Sequence, residues 1–244
     1  MRSILSILFL IGVFALATIA QSAPKVVALP DPTLANKAAK EMATAVLAAH
    51  GGDKLKQLKS LTLSGSVDVN AFNQAVPATF AMVFVGEKYR IDLNNPFQPI
   101  KQIYDGTQTL TNSQSAFKLP PLDRVGFYVI GRIGDATFPI TALPETAKGK
   151  TGFRITAPDG NYTDFYVDAK TKQVKGYESA FEFNGMPGTT SVEIDKYRTI
   201  ETVIIPEKFA QRFDLGQITI YCNFKAKEIA VNSTISPDIF VMTK

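Results

Sequence analysis

One histidine and one cysteine are the only imidazole and thiol in this 244-residue chain. His50 stands in Ala49-His50-Gly51-Gly52, where a helix end is the simplest reading. The glycines supply a left-handed cap and the imidazole suits the negative end of the helix dipole. Cys222 can form neither an internal disulfide nor a thiolate cluster, and reads as a small buried hydrophobe. Glu178 and Glu182 alternate onto one strand face with Lys175 nearby, the pattern of a wetted surface. The sequence holds no Gly-x-Ser-x-Gly elbow, no His-Glu-x-x-His pair and no phosphate-cradling glycine loop. These residues point away from catalysis and imply neither metal nor cofactor.

What the chain supplies instead is hydrocarbon: 17 Phe against 8 Tyr and no Trp. Burying one methylene contributes about 0.8 kcal/mol, so a cavity lined by such side chains can hold an apolar ligand without polar chemistry. The candidates are Leu61, Leu63, Phe80, Met82, Phe84, Tyr89 and Ile91 on alternating strand faces. Leu122, Phe127, Tyr128 and Ile130 stand in a central segment that would close over them. An incompletely closed barrel would leave some of these lining a pocket, whereas a closed sandwich would use them all as packing. Periodicity does not separate the two.

The elements that must position these residues follow from spacing. Leu34, Ala38, Met42, Ala45, Val46 and Ala49 recur at helical intervals after Thr33, which can cap, until Gly51-Gly52 stops the helix. A short turn over Asp53 to Leu58 follows, and then the period changes to two. Leu61, Leu63, Val67 and Val69 form one apolar face, and Phe80, Met82 and Phe84 continue it. Gly86-Glu87-Lys88 turns the chain so that Tyr89, Ile91 and Leu93 face one way and Arg90 and Asp92 the other. Asp105-Gly106 is a hairpin signal between Ile103-Tyr104 and Thr107 to Thr111. Further strands are expected over Phe153 to Ala157, Tyr162 to Val167, Val174 to Phe183, Thr189 to Tyr197, Ile204 to Phe213 and Gln217 to Lys227. Between the two groups, Leu119 to Asp135 breaks the alternation. Pro121 suits the first turn of a helix there, a core plug or a movable lid.

The N terminus predicts export. Met1-Arg2-Ser3, an apolar run from Ile4 to Leu16 and a small-residue stretch to Ala23 have the order of a cleaved leader over residues 1–20, cut between 20 and 23. A Pro-containing linker over 21–32 and one domain over 33–244 complete the organisation. No cysteine lies near the cleavage site to carry a lipid. No later apolar run reaches membrane-spanning length, so the mature chain is expected to be soluble and extracytoplasmic. A net charge of +4 is spread thinly over the chain, with no basic block of the kind that reads phosphate backbones, which sets nucleic acid aside.

Ala-His-Gly-Gly-Asp-Lys-Leu (Ala49 to Leu55), Leu-Lys-Ser-Leu-Thr-Leu-Ser-Gly (Leu58 to Gly65), Lys88-Tyr89-Arg90-Ile91-Asp92, Tyr104-Asp105-Gly106 and the Pro206-Glu207-Lys208-Phe209 step recur in an order that resembles the LolA/LolB-like outer-membrane lipoprotein-sorting proteins. The resemblance spans Thr33 to Lys244. It implies a mainly β fold: a half-open antiparallel barrel of about eleven strands around a hydrophobic cavity, with an N-terminal helix and a central helical lid. It further implies a monomeric periplasmic carrier or chaperone of lipoprotein acyl chains or another lipid, not an enzyme, serving inner- or outer-membrane sorting proteins. The founding carriers set an arginine against the lid, and Arg124 and Arg132 lie in the lid-like segment here. The lipid-anchored branch needs a cysteine that this sequence lacks. The alternative is a structural or interaction module of the cell envelope with a filled barrel and no cargo.

Overall fold

A computed structural model describes residues 32–71, 74–96, 99–112, 119–147, 149–183, 186–215 and 218–242. The expected leader and all of the linker before Pro32 lie outside them. The first helix, α1 (Pro32–Ala49), ends as its glycines require. The Gly52 amide donates to the Leu47 carbonyl at 2.8 Å and the Gly51 amide to the Ala48 carbonyl at 3.2 Å, closing a Schellman cap with Gly51 at φ +115°. A single turn, α2 (Asp53–Lys56), follows.

Twelve antiparallel strands among the described residues form one sheet. The first group is β1 (Leu61–Ala71), β2 (Gln74–Val85), β3 (Lys88–Asn94), β4 (Ile100–Tyr104) and β5 (Thr109–Thr111). The second is β6 (Ile140–Ala142), β7 (Gly152–Thr156), β8 (Tyr162–Val167), β9 (Val174–Phe183), β10 (Met186–Ile200), β11 (Val203–Leu215) and β12 (Ile218–Val231). The order β5-β4-β3-β2-β1-β12-β11-β10-β9-β8-β7-β6 puts β1 beside β12 in the middle and leaves β5 and β6 at opposite edges. The sheet is therefore not closed into a barrel. Register shifts at Ser64/Gly65, Ile194/Lys196 and Tyr166/Val167 bend it. At the first of these a Cβ on Gly65 would collide with the Lys225 carbonyl.

One turn and one helix face differ from expectation. Asp105 does not make a two-residue turn: its Oδ1 accepts from the amides of Thr107 (2.8 Å) and Gln108 (2.9 Å), so β5 starts only at Thr109. The buried stripe of α1 is Ala39, Ala43, Val46, Leu47 and, just past its end, His50, while Leu34 is 65% exposed. That places Leu34 and Ala38 off the expected face. The helix docks where small residues let it approach β6 and β7, and the Asn36 side chain accepts the Ala142 amide of edge strand β6 at 2.9 Å.

Apolar side chains collect in three places. One core lies on the concave side of β1–β3 and β10–β12, including Leu61, Phe80, Phe84, Tyr89 and Phe224. A second lies between α1 and β6–β9, including Val46, Phe153 and Phe165. The third is on the opposite face of β2–β4, where Phe240 covers Val83 and Ile103. The Arg90 guanidinium bonds the Asp92 carboxylate at 2.7 Å and the Ile239 carbonyl at 2.9 Å there.

Candidate functional site: an apolar cavity beneath a latched cover

Strand pairing brings the sequence candidates together. Leu61 faces Phe84 and Leu63 faces Met82 across β1 and β2, while Tyr89 and Ile91 of β3 continue the rows beyond Phe84 and Met82. Residues 119–139, which lead into β6 at the other edge, cross the concave side. This segment is pinned on the way by Gln102, whose Oε1 accepts the Leu119 amide at 2.6 Å and whose Nε2 donates to the Leu119 carbonyl (3.0 Å) and the Tyr89 hydroxyl (2.9 Å). Gln102 is fully buried and every side-chain polar atom is used.

The crossing segment is not the α-helix expected from Pro121. Residues 122–124 form a turn, and a 3₁₀ helix runs over Phe127–Arg132. Gly126 at φ +87° breaks any longer helix, a conformation that side chains other than glycine rarely take. Its amide donates to the Thr163 hydroxyl at 2.9 Å, and Thr163 is itself 2.9 Å from the Ser179 hydroxyl. Both hydroxyls are buried and bonded to each other, and Thr163 alone reaches the cover.

Beneath the cover lies a cavity of about 90 Å³. Leu61, Leu63, Met82 and Phe84 form one wall, Leu122, Phe127 and Tyr128 the roof, and Tyr177, Val192, Ile205 and Phe209 the far wall. Of the sequence candidates, Phe80, Tyr89 and Ile91 share the concave core but do not touch this space. Ile130 turns away altogether into the core under α1, because the 3₁₀ helix sits on the seam between the two cores. The far wall comes from β9–β11, whose alternation was legible although no pairing across the open sheet could be read from it.

The cover is latched on both sides of the opening. Toward β2–β3, Tyr128 stacks on Phe84 and donates to the Gly86 carbonyl at 3.0 Å, and Arg132 pairs with Glu87 at 2.6 Å. Toward β7–β8, Arg124 pairs with Asp159 at 2.7 Å while also holding Asp123 at 3.0 Å. Burial pushes the Asp123 carboxyl up, with Arg124 pulling it back, and the bond to Asp159 raises the Arg124 guanidinium further. Partly exposed ion pairs of this kind contribute about 0–1 kcal/mol each. They guide the cover; the aromatic stack and the Gly126–Thr163 bond hold it.

His50 and Cys222 both lie inside the protein. The His50 ring is fully buried, with Nδ1 3.1 Å from the Ile204 carbonyl and Nε2 accepting the Val174 amide at 3.1 Å. Nε2 can accept an amide proton only when it carries none, and burial lowers the pKa, so the ring is a neutral strut between β9 and β11 rather than the helix-dipole partner the sequence suggested. Burial pushes the Cys222 thiol up to about 12. Among the described residues no three His, Cys, Asp or Glu side chains gather as a metal site, and no helix is long and apolar enough to cross a membrane.

No family model matches the chain, and no curated protein matches it. Solved structures do. The chain is similar to a DUF1329 family protein from Desulfovibrio piger (9% identity, TM-score 0.48, 85% of this chain and 97% of that one). It is also similar to a LolA superfamily protein from Nitrosomonas europaea (10% identity, TM-score 0.48, 84% and 97%). A third is a putative outer membrane lipoprotein-sorting protein domain from Vibrio parahaemolyticus (9% identity, TM-score 0.42, 84% and 97%).

Proposed function

We propose that this protein is an exported, LolA-like, non-enzymatic carrier that shelters an acyl chain or another apolar ligand on the concave side of its open sheet. The observation that carries the reading is the cover. It lies across an apolar cavity, bears Leu122, Phe127 and Tyr128 on its inner side, and is tied to both halves of the sheet by contacts that can be broken and remade. The ordered motifs from Ala49 to Phe209 support the family, and the leader pattern over residues 1–20 supports a periplasmic setting. Lipoproteins or their lipid portion fit as cargo, and a membrane sorting protein as donor or acceptor. Titration with a fluorescent long-chain fatty acid tests it: saturable uptake supports the carrier, and none sinks it.

A second reading is favoured by one observation. About 90 Å³ is well below the roughly 300–1,000 Å³ of ordinary ligand pockets, as expected of an envelope interaction module whose interior is filled. Under that reading the protein takes up no lipid and binds a protein partner in stoichiometric amount.

A further inference from the structure

The cavity under the cover is not the end of the apolar space on this face. Farther along the same strands lies a second cavity of about 190 Å³, walled by residues that include Val69, Ala78, Ile100, Phe213, Ile220 and Cys222. Strand alternation puts both on one side. β1 presents Leu63 to the first and Val69 to the second, and β11 presents Phe209 to the first and Phe213 to the second.

Between them stand two rings. Phe80 meets Phe224 edge-on with centroids 5.1 Å apart, and Phe224 stacks on Phe209 at 4.7 Å. Phe80 and Phe224 are both buried and line neither cavity. Ring packing holds this partition, whereas buried groups elsewhere such as Gln102 and Thr163 are fixed by hydrogen bonds.

The dimensions fit one kind of occupant. The six steps from Leu63 to Val69 cover about 20 Å of strand, and one leaflet's acyl chain, half of a bilayer's hydrocarbon core, spans about 15 Å. Only joined do the cavities approach the roughly 300 Å³ where ligand pockets begin. We infer that Phe80 and Phe224 form a swinging partition, and that with the rings aside the two cavities become one sleeve for a single straight acyl chain, its methyl end beside Phe213 and Cys222 and its head under the cover. The inference rests on the carrier reading above and adds to it a length preference: a chain too short to pass the partition occupies the first cavity only.

The sequence contains no tryptophan, so a single introduced indole reports one position. Phe84→Trp watches the first cavity. Phe213→Trp watches the second, with Ile220→Trp as a replacement should the former not fold. The probes are octanoic and hexadecanoic acids, each brominated on the terminal carbon to quench a nearby indole, with binding measured separately by calorimetry. Hexadecanoic acid should bind at least tenfold more tightly and quench the second-cavity reporter by more than half, while octanoic acid should quench only the Phe84→Trp reporter. Hexadecanoic acid that binds but leaves the second-cavity indole bright overturns the sleeve and leaves the carrier standing. Quenching of that indole by octanoic acid overturns the partition. If neither acid binds, the carrier reading falls and the sleeve with it.

Discussion

Tyr128 lies flat on Phe84, ring centroids 4.6 Å apart and planes 17° from parallel, so the cover rests on β2 through this aromatic pair. An aromatic pair contributes about 0.5–1.5 kcal/mol beyond the area it buries. Tyr128→Ala should lower unfolding stability by about 3 kcal/mol and speed entry of an apolar fluorophore. Phe84→Asp places a carboxylate in the wall and should lower both stability and apolar-ligand affinity. Urea titration and fatty-acid binding check the pair of variants, and a Phe84→Asp protein unchanged in both removes the face assignment.

Thr163 is the acceptor for the Gly126 amide and the neighbour of Ser179. Thr163→Val keeps the shape but strands two buried polar groups, which costs about 1–3 kcal/mol. Thr163→Ser should restore most of it. Faster amide exchange at Gly126 in the valine variant, followed by NMR, is the specific signature; exchange unaltered from the parent contradicts the latch.

His50 makes stability depend on pH in a definite sense. Its folded pKa is lowered by burial from the ordinary 6.5, so the unfolded chain takes up the proton more readily than the folded one. The neutral ring's contribution is complete above about pH 6.5 and drains away as pH falls below it. Because it is the only histidine, no second imidazole shares that window. The urea midpoint should drop between pH 7.5 and 5.5, and His50→Gln should flatten that slope while lowering stability at pH 7.5.

Gly51 combines φ +115° with a Cβ position only 2.9 Å from the Thr202 carbonyl oxygen. Gly51→Ala should therefore cost more than about 1 kcal/mol, seen as a fall in melting temperature. Gly52→Ala has open space around its Cβ and should cost less.

Much of this arrangement was legible in the residues. Period-two alternation located Leu61 to Val69, Phe80 to Phe84 and Val174 to Phe183, because one buried face fixes the parity of a strand. Gly51-Gly52 declared the end of α1, since few residues but glycine tolerate positive φ. The cover was legible only as a break in rhythm. Its conformation is decided by partners far along the chain: Thr163 for Gly126, Asp159 for Arg124, Glu87 for Arg132. For the same reason Ile130 could not be assigned to a core, and Tyr177, Val192 and Phe209 could not be placed opposite Leu61. Burial of His50 is likewise a product of the β9 amide and the β11 carbonyl that meet its ring, neither of which local sequence reveals.

The most direct test of the carrier is the native mass spectrum of the full chain, purified from the cell envelope without detergent, alongside a lipid extract of the same sample. A carrier should show a population heavier than the mature polypeptide by the mass of an acyl-bearing lipid, displaced by added hexadecanoic acid. A single species at the bare polypeptide mass that also takes up no hexadecanoic acid would contradict the carrier reading.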